Sequence, residues 1–283
     1  MQLFEAIEQY KASHEFQSLR PASKRAYNFA LRKLDVVQDL ELEEFTRPGI
    51  MCLRDYLSEK PAMADLVITL LRKILGRAYD RGLIEANHAK GVKSMNKGEP
   101  YATWNMDDIR LFLSGATSLA KDIAILALYT GQRRSDLVGV AYDNISFQLV
   151  PANMWLLRLK QIKTGTEVVV PLLYPVVERF KLERPHKRGE LLLHDGMGNA
   201  LSPERASWEI KQQVGRLALN PALCLHGLRK SCATFLAENG ATAHEIMAIT
   251  GHKTLAEAQL YTEKASQLTR AYAAMQKMPN MEN

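Results

Sequence analysis

Residues 89–100 read AKGVKSMNKGEP: polar, with two glycines and one proline, and with no hydrophobic period. A stretch of that kind separates folded parts, and 283 residues suit two domains at roughly 100 to 200 residues each. Upstream, the pattern is helical throughout. Leu3, Ile7 and Tyr10 recur at helical spacing, and Ser23 is placed to cap a helix carrying Tyr27, Ala30, Leu31 and Leu34. Met51 to Ser58 reads as a third helix. Pro61 suits the first turn of a long fourth one, with Ala64, Val67, Leu70, Leu71, Ile74, Leu75 and Ala78 on its inner side and Gly82 at its end. Downstream, Thr103 or Asn105 can cap a helix to Leu113, and a helix from Ser118 to Tyr129 stops at Gly131. The period then changes. Apolar and basic residues alternate over Leu157 to Lys160, and Glu167 to Leu172 is rich in valine, so the two runs predict a β-hairpin with Lys163 near its tip. Helices resume at Ser202-Pro203, over Leu225 to Gly240, over Thr242 to Thr250, and beyond Thr254. The fold class is mainly α with a small β-sheet: a helical bundle of about four helices over 1–90, a linker over 91–100, and a mixed α+β domain over 101–283.

Composition narrows the function classes. With 47% apolar and 24% charged residues the chain is an ordinary globular one, neither fibrous nor disordered. Its greasiest segment, Met63 to Leu75, holds Asp65, Arg72 and Lys73, which excludes a membrane span there. The start, MQLFEAIEQYK, lacks the features of a secretory signal, so a cytoplasmic, nucleoid-associated protein without a membrane partner is expected. Cys52, Cys224 and Cys232 form no metal-binding pair and read as reduced, buried thiols. The net charge of +6 is evenly spread, with 16 basic against 13 acidic residues up to Lys97 and 21 against 18 beyond it, so each part carries +3. That distribution suits a polyanion gripped by both parts.

Taken singly, no polar residue compels a function. Taken in order, TGQRRSDL at 130–137, IKTG at 162–165, HGLRKSCAT at 226–234, TGHKT at 250–254 and LYT at 260–262 form a series. The series resembles the catalytic domain of the tyrosine recombinases, the phage integrase family, and the helical first part resembles that family's SAM-like core-binding domain. In the family these motifs supply a first arginine, a hairpin lysine, a His-x-x-Arg pair, a second histidine and, nine residues later, a tyrosine nucleophile. The matching residues are Arg133, Lys163, His226, Arg229, His252 and Tyr261. Departures are Gln132 where an apolar residue is usual, Asp136 where a glutamate is usual, and Lys230 where a histidine is frequent. Gln132 and Arg134 look more like prophage-type members.

The chemistry agrees with the pattern. Opening a phosphodiester needs a nucleophile, positive charge for the nonbridging oxygens, and a proton for the departing oxygen. Arg133 and Arg229 have the planar, always-charged fork that clamps two phosphate oxygens. His226 lies one helical turn before Arg229, so both can serve one phosphate. A tyrosine with a pKa near 10 needs neighbouring cations to become a phenolate.

The resemblance implies attack by Tyr261, a 3′-phosphotyrosine, a free 5′-hydroxyl protonated by Lys163, and Asp136 orienting the arginines from behind. It implies no cofactor, no metal and no ATP. The implied partners are double-stranded DNA, closed between two domains, and three further copies in a tetramer on DNA; an accessory directionality factor is left open. The segment Leu268 to Met278 is amphipathic and could dock on a neighbouring protomer, and the short run before Leu3 leaves no room for an arm-binding domain, so simple core sites are expected. The favoured role is integrase of a prophage or mobile element. A chromosome-dimer resolving recombinase, a type IB topoisomerase and a non-catalytic DNA-binding regulator remain alternatives. Basic pairs such as Lys24-Arg25 and Arg32-Lys33 include expected phosphate contacts, whereas Tyr10, Tyr27 and Tyr56 read as core.

Overall fold

The computed structural model describes the chain except residues 97, 99, 151–152, 265–270, 273 and 279–283. The docking segment expected over Leu268 to Met278 therefore lies partly outside the described residues. The chain forms two compact units, Met1–Glu99 and Pro100–Asn283.

The first unit is helical. Helix α1 (Leu3–Ala12) buries Leu3, Ala6, Ile7 and Tyr10, the stripe its spacing predicts. A single turn, α2 (His14–Gln17), leads into α3 (Pro21–Leu31). That helix starts before Ser23 because Pro21, whose ring presets a helical φ, takes the first position after an extended Arg20. The next helix, α4 (Arg47–Tyr56), likewise begins a turn earlier than Met51, where the Thr46 hydroxyl accepts from the Gly49 N–H at 3.4 Å. It buries only Ile50 and Leu53, which leaves Cys52 exposed and Tyr56 71% exposed, unlike their reading as core residues. The long α5 (Pro61–Tyr79) supplies the centre of the core with Val67, Leu70, Leu71, Ile74 and Leu75.

Residues after α5 are held by this unit further than their composition suggests. Arg47 donates to the carbonyls of His88, Lys90 and Gly91, and Arg72 to those of Ala89 and Val92, at 2.7–3.2 Å. Asp65 accepts the backbone N–H groups of Met95 and Asn96 at 2.8 Å, and Ala89 and Val92 are buried. Backbone carbonyls are the same at every position, so nothing in AKGVKSMNKGEP marks this clasp.

The second unit is built on α7 (Ser118–Thr130), preceded by α6 (Met106–Gly115), which Asn105 caps in a reciprocal pair with Asp108. A short α8 (Arg134–Leu137) leads to an antiparallel sheet in the order β1 (Ile145–Gln148), β2 (Met154–Lys160), β3 (Glu167–Leu172). Pairs Leu157↔Val170 and Lys160↔Glu167 set the hairpin register, so Val168, Val170 and Leu172 all face the core. Then follow α9 (Tyr174–Phe180), α10 (Pro203–Arg216) under a Ser202 cap, α11 (Leu225–Glu238), α12 (Ala243–Thr250) and α13 (Leu255–Lys264). Among the described residues no helix is long and apolar enough to cross a membrane, and no group of three or more acidic, cysteine or histidine side chains could hold a metal.

Trp104 locks the start of α11, which carries His226 and Arg229. Its indole N–H donates to the Cys224 carbonyl at 2.9 Å, its ring meets Phe112 edge-on, and its backbone exchanges two bonds with the buried Ser231 hydroxyl. Gly227 is required beneath it, since a Cβ there would lie 2.4 Å from the Ala102 carbonyl. Trp104→Ala should therefore cost about 3–5 kcal/mol. Denaturant unfolding checks this, and a loss below about 1 kcal/mol would contradict the packing.

Candidate active site

Arg133, Lys163, His226 and His252 sit at element ends or turns, and Arg229 and Tyr261 within helices. Gly131 ends α7 in the left-handed conformation (φ +62°). That reversal turns the chain, and Arg133 becomes the extended residue that opens α8. Lys163 is exposed in the β2–β3 turn, closed by Gln161 N–H to Thr166 carbonyl and Gly165 N–H to Gln161 carbonyl, both 2.8 Å. His226 and Arg229 lie one turn apart in the first half of α11. His252 follows Gly251 (φ +68°), which ends α12, and Tyr261 is on α13.

Arg229 is 3% exposed and is the centre of the arrangement. Its Nη1 donates to the Gly131 carbonyl at 2.5 Å and to the Thr250 carbonyl at 2.8 Å, tying α11 to the ends of α7 and α12. Its Nη2 is buried, and among the described residues it has no hydrogen-bond partner. Burial first, and then the charge of Arg133, bring the guanidinium down to about 10, while Tyr261, Cys232 and Asp136 pull the other way. Arg133 is half-buried, with Nη1 donating to Gln161 Oε1 at 2.5 Å.

Both histidines are held toward the neutral form. His226 packs against Tyr101, with ring centroids 4.6 Å apart and planes tilted by 56°, and remains exposed to solvent on its other side. Desolvation lowers its pKa, followed by the charges of Arg229, Arg133, Lys163 and Lys230. His252 is held down to about 4 by burial and by Arg229. Its tautomer follows from its partner. The Thr250 hydroxyl gives its single proton to the Ile246 carbonyl at 2.6 Å, so Nδ1, 2.9 Å from that oxygen, must donate to it and leave Nε2 as an acceptor. The Tyr261 ring lies nearly parallel to that of His252, with centroids 5.9 Å apart at 15°. Burial raises the Tyr261 pKa and Arg229 opposes this, so the resting site holds a phenol beside a neutral imidazole.

A depressed histidine makes folding pH-dependent. Between about 6.5 and 4 the unfolded chain binds a proton at His252 that the folded chain does not, so stability falls as pH drops through that window. Melting temperatures of wild type and His252→Gln should therefore converge or cross between pH 7 and pH 4. Parallel curves would contradict the assignment.

Asp136 is placed differently from its expected contact with the arginines. Its Oδ1 accepts the Ile162 backbone N–H at 2.7 Å, so it fixes the Lys163 turn, and it reaches Arg229 only through its charge. Lys230, where the motif departs, donates to the Tyr101 carbonyl at 2.7 Å, holding the residue that His226 packs against. Two residues of the site are not singled out by the sequence, Tyr101 and Gln161, and Thr250 enters only as the first letter of a motif. Gln161 carries no local signal, since a lone polar residue before a turn is ordinary.

Residues 113–267, more than half of the chain, match the sequence model of the phage integrase family. The chain belongs to that family. Along 92% of its length this integrase-family chain is 29% identical to tyrosine recombinase XerC of Mycobacterium sp. (strain JLS), covering 93% of it. It is 23% identical to tyrosine recombinase XerD of Listeria monocytogenes, with 85% and 86% of the two chains aligned. Among solved structures, it is similar to a lambda integrase dimer bound to a COC′ core site (TM-score 0.77, 19% identity, 94% of this chain and 97% of that one). A second is the Tn1549 transposon integrase with transposon right end DNA (TM-score 0.75, 16% identity, 98% and 99%). At these identities the structural likenesses establish the integrase fold. The protein is accordingly a tyrosine recombinase with a mainly helical fold and a small antiparallel sheet.

Proposed function

We propose that this recombinase cuts and rejoins duplex DNA at defined sites through a 3′-phosphotyrosine, as the integrase of a prophage or other mobile element. The observation that carries this reading is Arg229, which joins the 226–234 segment to the 130–137 and 250–254 segments through the Gly131 and Thr250 carbonyls, and whose buried Nη2 lacks a protein acceptor among the described residues. A buried charged donor without a partner is costly, and a phosphate oxygen would satisfy it.

In the proposed reaction Tyr261 Oη bonds to the scissile phosphorus and the bond to the 5′-oxygen breaks. Arg133 and Arg229 hold the nonbridging oxygens as charge gathers on them. Two neutral imidazoles are available for the phenolic proton, with His252 stacked beside Tyr261. Lys163, exposed on its turn, protonates the leaving 5′-oxygen. Attack by another strand's 5′-hydroxyl reverses the sequence; since the ester conserves the bond energy no ATP is needed, and with the two arginines neutralising the phosphate no metal is needed either. The first unit is proposed as the core-binding domain and the second as the catalytic one, each contacting the duplex. A tetramer is the proposed active assembly, supported by the likeness to a lambda integrase tetramer bound to a Holliday junction (TM-score 0.75). The proposed place of action is the cytoplasm, on the nucleoid.

A second reading, chromosome-dimer resolution, is favoured by the near-complete alignment with XerC. The test is recombination between cloned sites, run with a chelator and without ATP. Recombination of the sequences flanking the gene supports the integrase reading, recombination only of a chromosomal dimer site supports the second, and a strict need for Mg²⁺ or ATP contradicts the mechanism.

A further inference from the structure

Gln161 is 1% exposed, and both ends of its side-chain amide are fully engaged. The oxygen accepts from Arg133 Nη1 at 2.5 Å and from the Thr164 hydroxyl at 2.9 Å; the nitrogen donates to Gln132 Oε1 at 2.7 Å and to the Thr250 carbonyl at 2.8 Å. The orientation cannot be reversed, because a guanidinium only donates and a carbonyl only accepts. Gln132 is locked in turn, with its nitrogen on the carbonyls of Thr130 and Ile249 at 2.7 and 2.8 Å. The Thr250 carbonyl that Gln161 holds is the same one that receives Arg229. A continuous chain therefore runs from Arg133 through Gln161 and Thr250 to Arg229, and through Thr164 it includes the Lys163 turn.

We propose that Gln161 is a positioning residue for strand cleavage, fixing the Arg133 guanidinium and the Lys163 turn in one geometry relative to Arg229. The inference rests on the reading above that these cations act on a scissile phosphate. An amide suits the task better than a carboxylate would. It orients the arginine without neutralising it, so the full charge stays available to the phosphate, and it also supplies two donors that a carboxylate lacks. Space for it is reserved by Gly251, where a Cβ would lie 2.4 Å from Gln161 Nε2. Buried networks that are fully satisfied are rigid, and rigidity here sets where two like charges sit.

The experiment is single-turnover cleavage of a nicked suicide duplex at saturating protein, comparing wild type with Gln161→Leu and Gln132→Met. Each variant is paired with a measured DNA affinity and melting temperature. A misplaced clamp should slow cleavage on the order of 10- to 100-fold for Gln161→Leu, and less for Gln132→Met, with DNA affinity changed less than about twofold. The same comparison on a duplex whose scissile phosphate is a neutral methylphosphonate separates positioning from general damage. There is then one charge fewer for Arg133 to compensate, so the part of the loss that comes from the arginine should disappear and the variant's deficit should be smaller than on the phosphodiester. Unimpaired cleavage by Gln161→Leu, or an equal loss on both substrates, would overturn the inference. If Gln161→Leu does not fold, the Gln132→Met comparison decides by the same criteria. Wild-type protein that forms no covalent adduct would instead remove the underlying reading, and this inference with it.

Discussion

Arg229→Ala is expected to slow single-turnover cleavage by on the order of 10³-fold or more, the range found when a preorganised cation is taken from a charged transition state. Three observations set that size. The side chain is buried, so its field is weakly screened; its Nη1 is committed to the Gly131 and Thr250 carbonyls; and its Nη2 is left for another acceptor. Arg229→Lys should recover little of the loss. A lysine offers no second arm for the phosphate while its ammonium is held by the two carbonyls. The burial that lowers the arginine would lower a lysine there too, and a lysine starts closer to neutrality, so it would hold its charge less securely. Saturating protein on a suicide duplex isolates the chemical step from binding. Cleavage by the Arg229→Lys variant at the wild-type rate would contradict the clamp.

How far the sequence discloses this site follows from what leaves a local mark. The stop at Gly131, the cap at Ser202, the choice of Thr103 or Asn105 as a cap, of which Asn105 is the one used, and the Lys163 turn are signals written in a few adjacent residues. Strand β1 leaves none: ISFQ is four residues long with no clean alternation, and it is a strand because β2 pairs with it. Two helices start earlier than their apolar spacing suggests, because Pro21 and the Thr46 cap set earlier first turns. Cys52 and Tyr56 are exposed against expectation because a helix of ten residues buries one narrow stripe, and residue type does not say which side of it a position falls on. The Gln161 network is the clearest case of the illegible. Its four partners come from positions 132, 133, 164 and 250, and the last is a backbone carbonyl, a group that every residue carries. Tertiary structure alone makes that glutamine different from the chain's others.

The second large effect concerns the nucleophile. Tyr261 is half-buried on α13, against the small cluster of Ala233, Ala237, Ile246 and Ala258, with its ring stacked on His252. Tyr261→Phe removes only the hydroxyl, so the ring packing and the arginine clamp remain, and DNA affinity should change by less than about threefold. Chemistry should stop altogether, because phenylalanine has no oxygen to bond to phosphorus. The measurement is covalent trapping: a labelled suicide duplex incubated with wild type or Tyr261→Phe in chelator, denatured, and scored for protein-linked DNA. Wild type should give a DNA adduct that maps by peptide digestion to Tyr261, and Tyr261→Phe none above background. An adduct of equal yield with Tyr261→Phe, or one mapping to another residue, would contradict the account.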